Sequence, residues 1–169
     1  MYHSPIICVD RSARENFTIF INDNNDVFSV GRSRNNAYGH EKELIFPISK
    51  IQGLKNIKMI DCGETHTICL DFNGAVFSFG SNRCGVLGIG KLYSEFKGTH
   101  VPQKINIPPC KQIACGDTFV MCITNEGQLY YFGGNAPKLC LEDCEYHYLP
   151  EIITNFNNVE YIACGSNYC

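Results

Sequence analysis

The 169-residue chain contains no tryptophan, and charged side chains make up only 18% of it, against roughly 25% in ordinary globular chains. With 44% hydrophobic residues, so little charge excludes a disordered chain. Positive charge is not in excess either. Fourteen Lys and Arg face 17 Asp and Glu, for a net charge of −3. That removes electrostatic support for a nucleic-acid-coating or chromatin-binding role. Long apolar runs are missing. Stretches such as Ile6-Ile7-Cys8-Val9 fall far short of the roughly 20 residues a membrane span needs, so no membrane insertion is expected. The N-terminus has no basic segment followed by an apolar one, which argues against secretion and for a cytoplasmic or nuclear, intracellular setting. Asn16-Phe17-Thr18 fits a glycosylation sequon and is set aside on that ground.

Leu and Ala together number only 15, against 46 for Ile, Val, Phe and Tyr together. β-branched and aromatic side chains suit a pleated sheet, so the composition points to an all-β fold. Cysteine is abundant, with 11 residues. In an unsecreted chain these read as reduced thiols, and the odd number leaves any complete disulfide framework with a spare. The length suits one domain with a buried core.

Internal self-similarity is the strongest signal. Cys62-Gly63 is followed by Cys69, by a turn at Asn73-Gly74, and by Val76-Phe77-Ser78-Phe79-Gly80. Cys115-Gly116 is followed by Cys122, by Glu126-Gly127, and by Leu129-Tyr130-Tyr131-Phe132-Gly133. Both spans run 18 residues from first Cys to last Gly. Counting back by the same 18 from Gly31 reaches Ala13, and it sets Asn25 on the turn glycine. Asn tolerates positive φ better than other non-glycine residues, so that exchange is physically sensible. A further copy opens at Cys164-Gly165. The Cys-Gly pairs lie 53 and then 49 residues apart.

Each copy reads as short strands. One leads into Cys-Gly, at 57–60, 112–114 and 160–163. A second follows at 67–71 and 119–124. A third follows the turn at 75–79 and 128–132. Short antiparallel strands at this period make blades, and the expected fold is a partial β-propeller of about three blades. The repeat units fall at about 10–46, 47–101 and 102–149, with an incomplete unit at 150–169 of the single domain 1–169.

The run Val76-Phe77-Ser78-Phe79-Gly80-Ser81-Asn82-Arg83-Cys84-Gly85-Val86-Leu87-Gly88-Ile89-Gly90, with Cys62-Gly63-Glu64-Thr65-His66-Thr67 before it, resembles the regulator of chromosome condensation repeat. The resemblance covers about residues 10–169. In the first copy Gly31 and Gly39 remain, while Ser33 and Asn36 replace Asn82 and Gly85. In the later copy Gly133 and Asn135 remain, and Lys138 and Leu141 replace loop glycines. The resemblance implies a propeller that binds protein partners. Its founding member is a nucleotide exchange factor for a Ran-type GTPase that also binds chromatin, and others are scaffolds in ubiquitin ligases, membrane-traffic regulators and cytoskeletal proteins.

Several residues invite a chemical reading. Gly85-x-x-x-x-Gly90-Lys91 approaches a phosphate loop, but Leu92 stands where a Mg²⁺-binding Ser or Thr belongs, and the repeat already explains the glycines. Cys140, Cys144 and His147 are zinc-ligand types without a fourth partner at a compelling spacing. Cys62, Cys69, Cys115, Cys122 and Cys164 recur at repeat spacing and read as small core residues rather than redox groups. His66 and Cys69 are three apart on a strand, so they point to opposite faces and cannot act as a nucleophilic pair. His66 is expected to hydrogen-bond neighbouring backbone. At its place the other copies carry Phe17, Phe119 and Tyr168, which suggests packing. Glu64, Asp117 and Glu142 read as solvated loop charge.

No catalytic, cofactor or metal site is therefore expected, and the partner-binding residues are left open. The expected function is a protein–protein interaction scaffold, including regulation of a small GTPase by guanine-nucleotide exchange. The alternatives are a propeller fragment without independent activity, or a nucleotide- or metal-binding enzyme. Closed propellers have 4–8 blades, so the length predicts an open arc, self-association through open strand edges, or closure by another chain.

Overall fold

A computed structural model of the chain describes residues 6–11, 16–32, 37, 39–41, 48–134 and 146–169. Its organising unit is a tight turn repeated three times. The backbone amides of Asn25, Gly74 and Gly127 donate to the carbonyls of Asn22, Asp71 and Thr124 at 3.0–3.1 Å. The same three acceptor residues also brace the turn with their side chains. Asn22 Oδ1 accepts from Asn24 and Asp26, Asp71 Oδ1 from Asn73 and Ala75, and Thr124 Oγ1 from the Gln128 amide. Asn25, Gly74 and Gly127 have φ of 59°, 85° and 79°. Asn25 thus adopts the left-handed conformation that the repeat alignment requires of it.

Each turn joins the two middle strands of a four-stranded antiparallel sheet. The first sheet runs β1 (Ile6–Arg11), β2 (Asn16–Asn22), β3 (Val27–Arg32) and β4 (Ser49–Lys50). The second runs β5 (Ile57–Cys62), β6 (His66–Asp71), β7 (Val76–Ser81) and β8 (Gly98–Lys104). The third runs β9 (Cys110–Cys115), β10 (Phe119–Thr124), β11 (Leu129–Gly133) and β12 (His147–Ile152). Strand order follows chain order in every sheet, and the sheets pack face to face, with β1 beside β5 and β5 beside β9. This is an all-β arc of three propeller blades. The outer strands β4, β8 and β12 were not legible from the repeat.

Burial explains the stacking. Phe17, Ile19, Ile21 and Val27 of the first sheet pack on Ile60, Cys69 and Phe79 of the second. One period later, Ile68, Leu70 and Val76 pack on Ile113, Val120, Cys122 and Phe132 of the third. One period later again, Phe119, Met121, Ile123 and Leu129 pack on Ile153 and Ile162. Middle strands carry apolar side chains on both faces because both faces are covered. All six residues of β6 and of β10 are buried. Backbone bonds repeat with the packing. The amides of Ile57, Cys110 and Val159 donate to the turn carbonyls of Asn25, Gly74 and Gly127 at 3.1, 2.8 and 3.0 Å.

The expected strand at 160–163 is not formed. The segment lies against the third sheet, and no strand among the described residues pairs with it. It is held instead by the Gln112 side chain, which donates to the Ile162 carbonyl at 2.6 Å and accepts from the Ile162 amide at 3.2 Å.

Candidate functional site

The segment that invited a chemical reading begins at the turn after β5. The Gly63 amide donates to the His66 carbonyl at 3.0 Å, and the His66 ring lies against Gly63. A Cβ on Gly63 would come within 2.0 Å of that ring. The same turn recurs at Gly116 under Phe119 and at Gly165 under Tyr168. A ring over a bare glycine is thus a structural element of three of the copies, at Gly63, Gly116 and Gly165. Neighbouring turns are also tied together. The Glu64 amide donates to the Asp117 carbonyl at 3.0 Å, and the Asp117 amide to the Ser166 carbonyl at 2.8 Å.

His66 corrects one expectation. Its side chain is fully buried, and neither ring nitrogen has a hydrogen-bond partner. Burial drives its pKa down from 6.5 to about 4, against a smaller opposing pull from the Asp117 carboxylate. The ring is neutral at physiological pH and too enclosed for acid–base work. Cys69 lies in the core toward the first sheet, on the opposite side of β6 from the glycine-facing ring.

The glycine loop after β7 is equally committed to structure. The amides of Gly85, Gly88 and Gly90 donate to the carbonyls of Asn82, Gly85 and Tyr148. Asn82 Nδ2 closes the loop on the Lys91 carbonyl at 2.7 Å, and Ser78 Oγ holds the Leu87 carbonyl at 2.8 Å. Gly85, Gly88 and Gly90 each abut the third sheet, at Tyr148, Phe132 and Leu149. These amides are spent inside the protein, so the phosphate-cradling reading fails here. Lys91 reaches over the Phe96 ring, 4.8 Å from its centroid.

His147 sits 2.9 Å from Glu151 and edge-on to Tyr131. Cys140, Cys144 and Glu142 lie outside the described residues, and among the described residues no three metal-ligating side chains converge. The recurrent cysteines divide. Cys69, Cys115 and Cys122 are buried core residues. Cys122 meets Cys110 through a thiol hydrogen bond that, with burial, pushes the Cys122 thiol up. Cys164 departs from the reduced-thiol expectation: it is disulfide-bonded to Cys169. The cause is the repeated turn, which sets the fifth residue after each Cys opposite it. Thr67 faces Cys62 and Val120 faces Cys115, whereas the last copy places a second Cys there.

What remains outside the core is loop and edge surface, including Leu92 and Tyr93 on the glycine loop and Tyr146 and Leu149 around β12. Family models named "Regulator of chromosome condensation (RCC1) repeat" match residues 57–86 and 73–123, the span that holds this turn and loop. It is an RCC1-repeat protein. The RCC1-repeat chain is 32% identical over 137 residues to the ultraviolet-B receptor UVR8 of Arabidopsis thaliana, covering 76% of this chain and 30% of that one. It is 34% identical over 116 residues to the human X-linked retinitis pigmentosa GTPase regulator, covering 66% and 11%. Its fold matches yeast RCC1 (Prp20), seen bound to Kap60, with a TM-score of 0.81 at 20% identity, covering 98% of this chain and 41% of that one. The chain thus spans well under half of the relatives it matches. No helix among the described residues is long and apolar enough to cross a membrane.

Proposed function

We propose that this chain is an intracellular platform for protein partners, and that it regulates a small GTPase by promoting guanine-nucleotide exchange. The observation that supports this most is the conversion of His66 and the glycine loop, the suggestive groups among the described residues, into packing. His66 is sealed over Gly63, and the glycine-loop amides are bound internally, while the segment after the glycine loop and the outer strand β12 keep exposed Leu92, Tyr93 and Leu149. A surface of that kind offers apolar contacts to a protein partner. The similarity to a human protein named as a GTPase regulator supplies the class of partner.

Exchange needs no chemistry from the platform. A protein that binds the nucleotide-free GTPase more tightly than the nucleotide-bound form shifts the population toward release. The test is release of a fluorescent guanine nucleotide from Ran-type and other small GTPases at micromolar chain. Acceleration supports the reading. An unchanged release rate rejects exchange for those GTPases, and absence of a complex with them rejects the partner class.

A further inference from the structure

We propose that Cys110 and Cys122 form a peroxide-sensitive thiol pair, which closes to a disulfide within the third sheet. The strand register brings them together. Cys122 is the cross-strand partner of Ile113, Ile123 of Gln112, and Thr124 of Cys110. Between the last two pairs β9 carries one extra residue, Lys111, and this bulge turns Cys110 onto the face that Thr124 shares with Cys122. Without it Lys111 would stand opposite Thr124, and Cys110 would face away. Both thiols accordingly lie in the same apolar core, fully buried. The same bulge recurs in the second sheet at Lys58, where it sets Ile57 opposite Asp71 and on the side of Cys69. The repeat thus builds the same diagonal in both sheets, and the third has a thiol at each end of it.

The two side chains already meet. The Cys122 thiol donates to Cys110 Sγ, and the Cys110 thiol donates to the Pro108 carbonyl at 3.2 Å. The hydrogen bond from Cys122 holds the Cys110 thiol below its ordinary pKa and, with burial, pushes the Cys122 thiol up. Cys110 is therefore the nucleophile, and Cys122 the thiol that resolves it. Position agrees with these roles. Cys110 opens β9 directly after the exposed Pro108 and Pro109, whereas Cys122 lies within β10. The two prolines have no amide hydrogens, so the segment against the Cys110 thiol has few backbone bonds to break when it opens locally. In the first step Cys110 sulfur attacks one oxygen of a hydroperoxide such as hydrogen peroxide. The O–O bond breaks, and the departing hydroxide takes the Cys110 proton as water, leaving a sulfenic acid. In the second, Cys122 sulfur attacks Cys110 sulfur, the S–O bond breaks, and that hydroxide leaves as water with the Cys122 proton. The two thiols lose two electrons and two protons, and the peroxide becomes two waters. The product is neutral, which suits its apolar surroundings.

The test is peptide mass spectrometry of the full chain. Folded protein is treated with submillimolar hydrogen peroxide, quenched in acid, unfolded, alkylated, and digested with trypsin without reductant. Cleavage after Lys104, Lys111 and Lys138 gives the peptide 105–111, which holds Cys110, and the peptide 112–138, which holds Cys115 and Cys122. The two should be recovered joined, lighter by two hydrogens than their sum, and should separate on reduction. Cys122→Ala should abolish the joined species and leave Cys110 as a sulfenic acid that dimedone traps. Cys115→Ala should keep the joined species. Wild-type chain that yields 105–111 only alkylated, or only as the sulfinic acid, overturns the proposal, and that measurement needs no variant to fold. So does a joined species that survives Cys122→Ala, or one that forms no faster in the folded chain than in urea. None of these readouts involves a GTPase, so failure here and failure of the exchange reading are distinguishable.

Discussion

Replacing His66 by Phe should make the protein more stable and remove part of its acid sensitivity. At neutral pH the neutral ring keeps one N–H and one nitrogen lone pair buried without partners. A buried polar group left unsatisfied costs about 1–3 kcal/mol. Phe119 fills the equivalent place over Gly116 one period later, so the cavity has a working precedent for a phenyl ring. His66→Phe should therefore gain about 1–3 kcal/mol at pH 7, raising Tm by about 2 °C or more in a domain of this size. The pH dependence follows from the depressed pKa. Between pH 6.5 and about 4 the unfolded chain binds a proton at His66 that the folded chain refuses. This contribution is fully present above pH 6.5 and is lost as the pH falls toward 4. The lowering of about 2.5 units is worth about 3 kcal/mol. The stability gap between His66→Phe and wild type should widen by about that amount from pH 7 to pH 4. Urea unfolding of both proteins at several pH values measures it, and carboxylate titrations common to both cancel in the difference. A variant less stable at pH 7, with a gap that does not change with pH, would refute both the unpaired ring and its burial.

Further outcomes follow from other elements of the repeat. Asp71→Ala removes the carboxylate that accepts from the Asn73 and Ala75 amides, and should cost about 1 kcal/mol in chemical denaturation. Asp71→Asn, which keeps the acceptor as Asn22 does in the first turn, should recover most of that. Alkylation under non-reducing, denaturing conditions should leave Cys164 and Cys169 unmodified until a reductant is added. Labelling of either beforehand would remove the disulfide. In the native protein Cys69 and Cys122, both fully buried, should react with a thiol reagent only as fast as the protein opens.

What could be read from the sequence was whatever the repeat imposes on side chains. Middle strands are buried on both faces, so β10 stands out as a continuous apolar run, Phe119–Ile123, and β6 carries a shorter one, Ile68–Leu70, between turn residues. The turn restricts φ, so Asn25 could be matched to Gly74 by spacing alone. The outer strands escaped for the opposite reason. Gly98–Lys104 contains Pro102, buries none of its side chains fully, and pairs on one side only, so it carries neither alternation nor a strong β composition. The disulfide was within reach, because Thr67 and Val120 mark the fifth position after Cys as the cross-strand partner. His66 shows a harder limit. The aromatic residues in the other copies pointed to packing, but whether a buried imidazole finds partners depends on atoms that spacing does not locate.

The turn position also shows that equivalence in φ is not equivalence in space. Asn25 and Gly74 share a left-handed conformation, so backbone strain alone would make Gly74→Asn nearly neutral. Space is a second constraint at Gly74. A Cβ on Gly74 would stand 2.8 Å from the Cys110 amide nitrogen and 2.9 Å from Pro109 Cβ, because the next sheet's inner strand enters directly against the turn. That Cys110 amide is also bonded to the Gly74 carbonyl, so it cannot withdraw without losing an inter-sheet hydrogen bond. At Gly127 the nearest atom is the Asn158 Cα at 3.0 Å, with the next at 3.4 Å, in a segment outside any paired strand. Gly74→Asn should therefore cost about 1–3 kcal/mol through overpacking, and Gly127→Asn distinctly less. Asn25→Gly, which only removes side-chain atoms at a left-handed φ that glycine adopts freely, should lie within about 0.5 kcal/mol of wild type. Equal costs at positions 74 and 127 would show that φ, and not the approach of the following blade, sets the demand for glycine. Equilibrium unfolding of the three variants decides between the two.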